Sequence, residues 1–339
     1  MSSYDLLVVG GGPSGLSAAQ TAVNLGRTAA LFDSSSYRNA ATPHVHTVAG
    51  HDGKTPAELR GAIEAEIKQA DKTLGRGRQL YTRYDEELKT IKTEGEGAAR
   101  RFIFEASGQT AEAKAVIVCS GVKEVMPSLP GYEQCWARSV LHCSACFTTE
   151  VVGKKGAILG LDQVFKGHLL FNQLADGPLA ILLNGSPVPP PLQTTLDTLR
   201  KAGHEIVEPA IVKLEPVDDG VRVHFGDGTA PRAFGFIAHQ PDKTVPPSSQ
   251  AVLDSLGLAT IRSPSGVAVA QTDFFPGVSM GGTAVPGVYV AGDLAQPITL
   301  ASQALASGTK VAGFALMLLT LAELGLEFPK LPPPVPNAA

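Results

Sequence analysis

The stretch Asp5-Leu-Leu-Val-Val9 runs directly into Gly10-Gly-Gly12-Pro-Ser-Gly15 and then into a helical stretch, 16–25, and nothing else in the chain limits its fold as strongly. A β-branched run, a glycine cluster and a helical pattern in immediate succession make a strand, a tight turn and a helix. Gly10, Gly12 and Gly15 fall on the spacing G-x-G-x-x-G. The first glycine makes the turn, the second lets a pyrophosphate approach the backbone, and the third lets helix and strand pack closely. A second strand, 28–32, ends in Asp33, about twenty residues past the central glycine, where an acid can bind a ribose hydroxyl. This context reads the glycines as a dinucleotide site.

The same pattern returns later without its chemistry. A strand at 155–160, a helix at 164–175 and a strand at 179–183 form a second βαβ unit. Its loop reads Gly160-Leu-Asp162-Gln-Val-Phe165, with Asp where the second glycine belongs and Phe where a small residue should pack. Such a loop keeps a pyrophosphate away from the backbone. The next strand runs into Asn184-Gly185, with no Lys or Arg to meet a 2′-phosphate. Strands also run into glycine at Ser120-Gly121 and at Gly292-Asp293, marking close backbone approaches. Proline-rich crossings at 126–132 and 241–247 suggest that the chain leaves the first domain and returns to it. The fold class is therefore α/β: two Rossmann-like three-layer domains, the first discontinuous (1–124 and 243–328) and the second (125–242) a degenerate pyridine-nucleotide-type domain. Residues 329–339 hold five prolines and read as a disordered tail.

Cys143-Ser-Ala-Cys146 falls just inside the second domain. Two cysteines separated by two small residues can close an easily reduced disulfide, and a helix start at the pair would favour the thiolate. His142 stands next to it and can exchange a proton. Zinc would require two more ligands at comparable spacing, and Cys119 and Cys135 stand alone. Those two read as buried or free thiols with no part in the chemistry.

The formal charge of -4 and the pI near 6.1 leave no basic footprint for nucleic acid or an anionic membrane. Four cysteines in 339 residues make no disulfide scaffold, and Met1-Ser-Ser-Tyr-Asp5 lacks a positive region before an apolar stretch. A cytoplasmic location is the default expectation. The apolar segment 311–328 reads as a buried helix, not a membrane span. A loop-like stretch, 34–53, contains Arg38, Asn39, His44, His46 and His51. The spacing 44, 46, 51 suits neither a helix face nor a compact metal loop, so no metal is expected there. A helix is expected over 55–74, short strands over 80–113, and a helix over 300–317 that opens near Gln303-Ala304.

Taken in order, the Gly10–Gly15 turn, Cys143-Ser-Ala-Cys146 and Gly292-Asp293 resemble the two-domain thioredoxin-reductase-like flavoproteins, over nearly the whole chain. The resemblance implies one FAD, held by Gly10, Gly12, Pro13, Ser14, Gly15, Asp33, Arg38, Asn39, His46, Gly121, Gly292, Asp293, Gln303 and Ala304. Asp293 would meet the ribityl hydroxyls, and Gln303 and Ala304 would begin the helix whose dipole faces the flavin pyrimidine ring. Cys146 would be the sulfur nearer the flavin, and Cys143 the one that exchanges with substrate. A homodimer is implied by the resemblance as well.

Within that family the degenerate second loop, Asn184-Gly185, His142-Cys143 and Arg38-Asn39 resemble the fungal dithiol oxidases of the gliotoxin-oxidase type. These form an intramolecular disulfide in a secondary metabolite and pass the electrons to oxygen, giving hydrogen peroxide. Phe147 departs from both groups, since reductases carry Asp and the oxidases His after the second cysteine. His142 then becomes the candidate for proton transfer. The expected activity is an FAD-dependent oxidase acting on a small-molecule dithiol. The alternatives are a disulfide reductase using NADPH or ferredoxin, and a flavin-binding protein without catalysis. The loop at 44–51 and the segment near Phe274-Phe275 would shape the substrate pocket.

Overall fold

The computed structural model describes residues 1–263, 266–275 and 278–328; the tail expected to be disordered, and the side chains of Phe274 and Phe275, lie outside the described set. The chain divides into two compact units. One comprises Met1–Arg38, Ala57–Lys123 and the residues from Lys243 on, and the other Asn39–Pro56 and Glu124–Asp242. Residues 39–56 thus group with the second unit, where His44 and His46 stand beside Glu150.

The first unit is built on a seven-stranded sheet. Ser2–Val9 lies in its middle, parallel to Ala29–Phe32 on one side and to Gln109–Val118 on the other. Flanked on both edges and covered on both faces, Leu6, Leu7 and Val8 are fully buried, which explains why this strand is an unbroken apolar run. Gln109–Val118 is long enough to serve two partners: its first half pairs antiparallel with Arg101–Ala106 and its second half parallel with Val288–Val290. That second pairing brings Gly292-Asp293 to the same sheet edge as the Gly10 turn.

Helix Pro13–Asn24 follows the turn, with proline in its first turn, where a missing N–H costs nothing. It packs against Ala301–Glu323, the Ser17 hydroxyl donating to the Leu305 carbonyl at 2.9 Å. At the far end Asp5 and Glu323 share Arg27 and Lys114, tying the last helix to the first strand. The last helix runs six residues beyond the expected end. Among the described residues it alone is long and apolar enough to cross a membrane by length and composition. Its Val311, Ala312, Ala315 and Leu316 are buried within the unit.

The second unit carries a five-stranded parallel sheet in the order Ile206–Val207, Ala180–Leu182, Gly156–Leu159, Phe236–Ala238, Val140–Leu141. A three-stranded antiparallel sheet, Ile211–Val217, Gly220–Phe225 and Arg232–Phe234, adds a further layer. The helix expected over 164–175 does not form. Two 3-10 turns, Leu161–Lys166 and His168–Gln173, take its place, because Gly167 between them sits in the left-handed region at φ +83 and breaks the run.

Candidate functional site

Each glycine of the first turn meets a different constraint. Gly10 has φ +111, and a Cβ there would lie 2.6 Å from the Cys119 carbonyl oxygen. A Cβ on Gly15 would lie 1.7 Å from the Gly10 carbonyl, so helix and turn could not pack. Gly12 faces open space, with nothing within 4 Å. It is also the N-cap of the first helix, where no side chain caps the turn and no acid stands in it. Free backbone donors, a positive dipole end and a clear approach suit a pyrophosphate. The Ser120 hydroxyl, buried without a hydrogen-bond partner, adds an unused polar group beside Gly10 and Gly121. These observations fit a dinucleotide such as FAD.

Gly11 was not singled out by the spacing, yet a Cβ there would lie 2.1 Å from Asp33 Oδ2. Asp33, almost fully buried, accepts at Oδ2 from the Tyr37 hydroxyl at 2.5 Å and from Arg83 Nη2 at 2.9 Å, and at Oδ1 from the Ser35 N–H at 2.9 Å. A carboxylate has about four acceptor positions, so one remains for a ribose hydroxyl. Arg83 and Tyr37 carried no readable signal, because both bond Asp33 from outside the motif.

Asp293 lies in the 3-10 turn Gly292–Leu294, and Arg38 donates to it from Nη1 at 3.0 Å. Arg38 also reaches the Thr299 carbonyl, the residue before the last helix and its Leu300 cap. That helix begins at Ala301, so Gln303 and Ala304 lie in its first turn and do not open it; the Ala304 N–H already bonds the Leu300 carbonyl. The structure therefore gathers Gly10 to Gly15, Asp33, Arg38, Gly121, Gly292, Asp293, Gln303 and Ala304 into the first unit. Asn39 and His46 belong to the second.

In the second unit Cys143 and Cys146 are joined in a disulfide, both half-buried. The expected helix start at the pair is absent. Residues 143–146 close a single turn, Cys146 N–H to Cys143 carbonyl, and only the 3-10 turn Thr149–Val151 follows. A turn this short has almost no macrodipole, so thiolate stabilisation must come from side chains.

His142 is held between two rings. Trp136 stacks on it at 5.1 Å, and Phe147 meets it edge-on at 5.4 Å. Phe147 is fully buried, and its hydrocarbon ring packs on the imidazole and has no group to carry a proton. Behind the pair, His168 Nε2 lies 3.3 Å from the His142 carbonyl and is placed to donate to it. His168 was hidden inside the helix expected over 164–175. It is fully buried, and burial lowers its pKa. His239 Nδ1 and the Tyr132 hydroxyl are hydrogen-bonded at 2.6 Å, and burial, with Lys166 nearby, pushes the His239 pKa down to about 4.

The loop 160–173, which in a nucleotide domain would meet a pyrophosphate, faces the cysteine segment with Gly167 near the Ser144 hydroxyl and His168 at His142. Asp162 crowds Gly160, its Oδ1 2.8 Å from where a Cβ would stand. Cys119 is buried and its thiol is pushed up to about 12 by burial; Cys135 is buried too, and both are free. Neither offers a nucleophile.

Residues 4–160 match the family described as pyridine nucleotide-disulphide oxidoreductase. The thioredoxin reductase sirT of Leptosphaeria maculans is 30% identical over 322 residues, 91% of each chain. The thioredoxin reductase aclD of Aspergillus oryzae is 32% identical over 322 residues, 91% of this chain and 94% of its own. Among solved structures, HlmI aligns with a TM-score of 0.79 at 24% identity, covering 95% of this chain and 94% of that one. An oxidoreductase from Agrobacterium tumefaciens aligns at 0.78 and 24%, covering 95% and 99%. These two likenesses bear on the fold.

Proposed function

The chain belongs to the thioredoxin-reductase-like pyridine nucleotide-disulphide oxidoreductases, flavin-dependent disulfide oxidoreductases, and on that premise we propose that it is an FAD-dependent oxidase of a small secondary-metabolite dithiol. One observation carries the reading: the loop after Gly156–Leu159 presents Asp162 and two 3-10 turns where a nicotinamide cofactor needs glycine and a helix N-terminus. Electrons then enter from a thiol substrate and not from NADPH.

A substrate thiolate attacks Cys143 Sγ, the Cys143–Cys146 bond breaks, and Cys146 leaves as a thiolate. The second substrate thiol attacks the substrate sulfur of the mixed disulfide, closing the substrate disulfide and releasing Cys143. Two electrons now reside on the cysteine pair, and the two substrate protons go to nearby bases, His142 among them. FAD in the first unit would supply the two-electron acceptor that reoxidises the pair and passes the electrons to oxygen, so that dithiol plus oxygen gives disulfide plus hydrogen peroxide. Gly12 and the first helix would hold its pyrophosphate, Asp33 the ribose and Asp293 the ribityl chain.

The relatives' names, thioredoxin reductases, favour a second reading as a disulfide reductase, for which the electron source would be NADPH or ferredoxin. The FAD-loaded protein, supplied with a small dithiol in air, separates the two. Oxygen uptake, peroxide and disulfide in equal amounts support the oxidase, and disulfide reduction driven by NADPH or reduced ferredoxin supports the reductase.

A further inference from the structure

The stretch 39–56 and the turn after the disulfide meet in a cluster that the spacing of His44, His46 and His51 did not foreshadow. The third member is Glu150, about a hundred residues away in sequence and only four beyond Cys146. His44 Nδ1 lies 3.2 Å and His46 Nε2 3.7 Å from the same oxygen, Glu150 Oε1. One ligand atom from each of the three residues lies within 4.8 Å of the others.

Two neighbours fix which atoms face inward. Glu150 Oε2 accepts from the Thr148 N–H at 3.0 Å, leaving Oε1 for the cluster. His46, with its side chain 6% exposed, holds Nδ1 3.0 Å from Asp52 Oδ2, and Asp52 Oδ1 in turn accepts from the Thr47 N–H at 2.8 Å. A ring that donates through Nδ1 presents a lone pair at Nε2. That nitrogen is buried without a hydrogen-bond partner, and it looks at a carboxylate oxygen beyond hydrogen-bond reach. Two acceptors facing each other across such a gap are reconciled by a cation between them.

We propose that His44 Nδ1, His46 Nε2 and Glu150 Oε1 bind one divalent transition-metal ion, with Zn²⁺ the best match and Asp52 orienting His46 from behind. Two imidazoles and one carboxylate suit zinc, and a carboxylate on the far nitrogen of a ligand histidine is the usual outer support of such sites. His44 is half-exposed, so the fourth position opens to solvent. Bound metal would pin the stretch 39–56 to the segment following the disulfide.

The test uses the full-length protein with its disulfide oxidised, stripped with a chelator and titrated with Zn²⁺ against a chromophoric competitor. The expected result is a single zinc per chain at submicromolar affinity. His44→Ala, at a half-exposed position, and Glu150→Gln should each weaken binding about tenfold or more, and Asp52→Asn by about tenfold. A variant with both Cys143→Ser and Cys146→Ser should bind zinc as the parent does. Binding only at millimolar zinc, binding unchanged by His44→Ala and Glu150→Gln, or binding lost with the cysteines would overturn the proposal.

Discussion

Arg38 Nη1 donates to Asp293 Oδ2 at 3.0 Å, with both side chains only 15% exposed, so two residues distant in sequence form one partly buried ion pair at the end of the central sheet. The sequence motifs treat them as separate contacts of a flavin. If Asp293 meets the ribityl chain as proposed, Arg38 would act on the cofactor through it, by fixing which carboxylate oxygen stays available. Arg38→Leu should therefore weaken FAD retention about tenfold, and Asp293→Ala by more, since it removes the acceptor proposed for the ribityl hydroxyls itself. Fluorescence of released FAD measures both. Equal retention in the parent and in Arg38→Leu would refute the coupling.

Both cysteines are partly buried, so burial does not separate their roles, which must be read from reactivity. If Cys143 exchanges with substrate, Cys146→Ser should accumulate a mixed disulfide on Cys143 when mixed with an oxidised small dithiol, visible by intact mass. Cys143→Ser should accumulate far less. Equal trapping would remove the assignment.

His168 braces the backbone immediately before the disulfide, and one part-buried hydrogen bond contributes about 1 kcal/mol. His168→Phe should lower dithiol turnover up to about tenfold and shift its pH profile, while FAD content stays at the parent level because that site lies in the first unit. Loss of FAD together with activity would mean general unfolding, and unchanged turnover would mean no brace.

Burial holds His239 neutral with a pKa near 4, whereas in the unfolded chain it protonates near 6.5. The unfolded state thus binds an extra proton as pH falls through 6.5, and the stability due to neutral His239 is lost between about pH 6.5 and 4. The depression corresponds to about 3 kcal/mol at the acid end. Denaturant titrations of the parent and His239→Gln across that window should show a shallower acid slope for the variant. Identical slopes would exclude His239 as the group concerned.

Much of the fold was legible because periodicity and glycine spacing are local: the first strand, Gly10 to Gly15 and the first helix occur in the structure nearly as read. The helix expected over 164–175 does not form because Gly167, which an apolar helical pattern does not register, takes a left-handed backbone that divides the segment. The helix start at Cys143 failed for a related reason, since a thiol pair with small spacers is compatible with a lone turn. Asp33's partners Tyr37 and Arg83, the His168 brace and the Glu150 cluster all depend on contacts between residues far apart in sequence or outside any motif. No spacing rule reaches them.

The most direct test is to mix the FAD-loaded protein anaerobically with NADPH and, separately, with a small dithiol, and follow the flavin absorbance. Asp162 would meet a pyrophosphate with both bulk and negative charge, and losing the charge-assisted bonds of a nucleotide site costs several kcal/mol, roughly a thousandfold in affinity. NADPH should leave the flavin oxidised, and the dithiol should bleach it, with colour and peroxide returning together when oxygen is admitted. Rapid bleaching by micromolar NADPH would contradict the oxidase assignment and place the protein with the reductases.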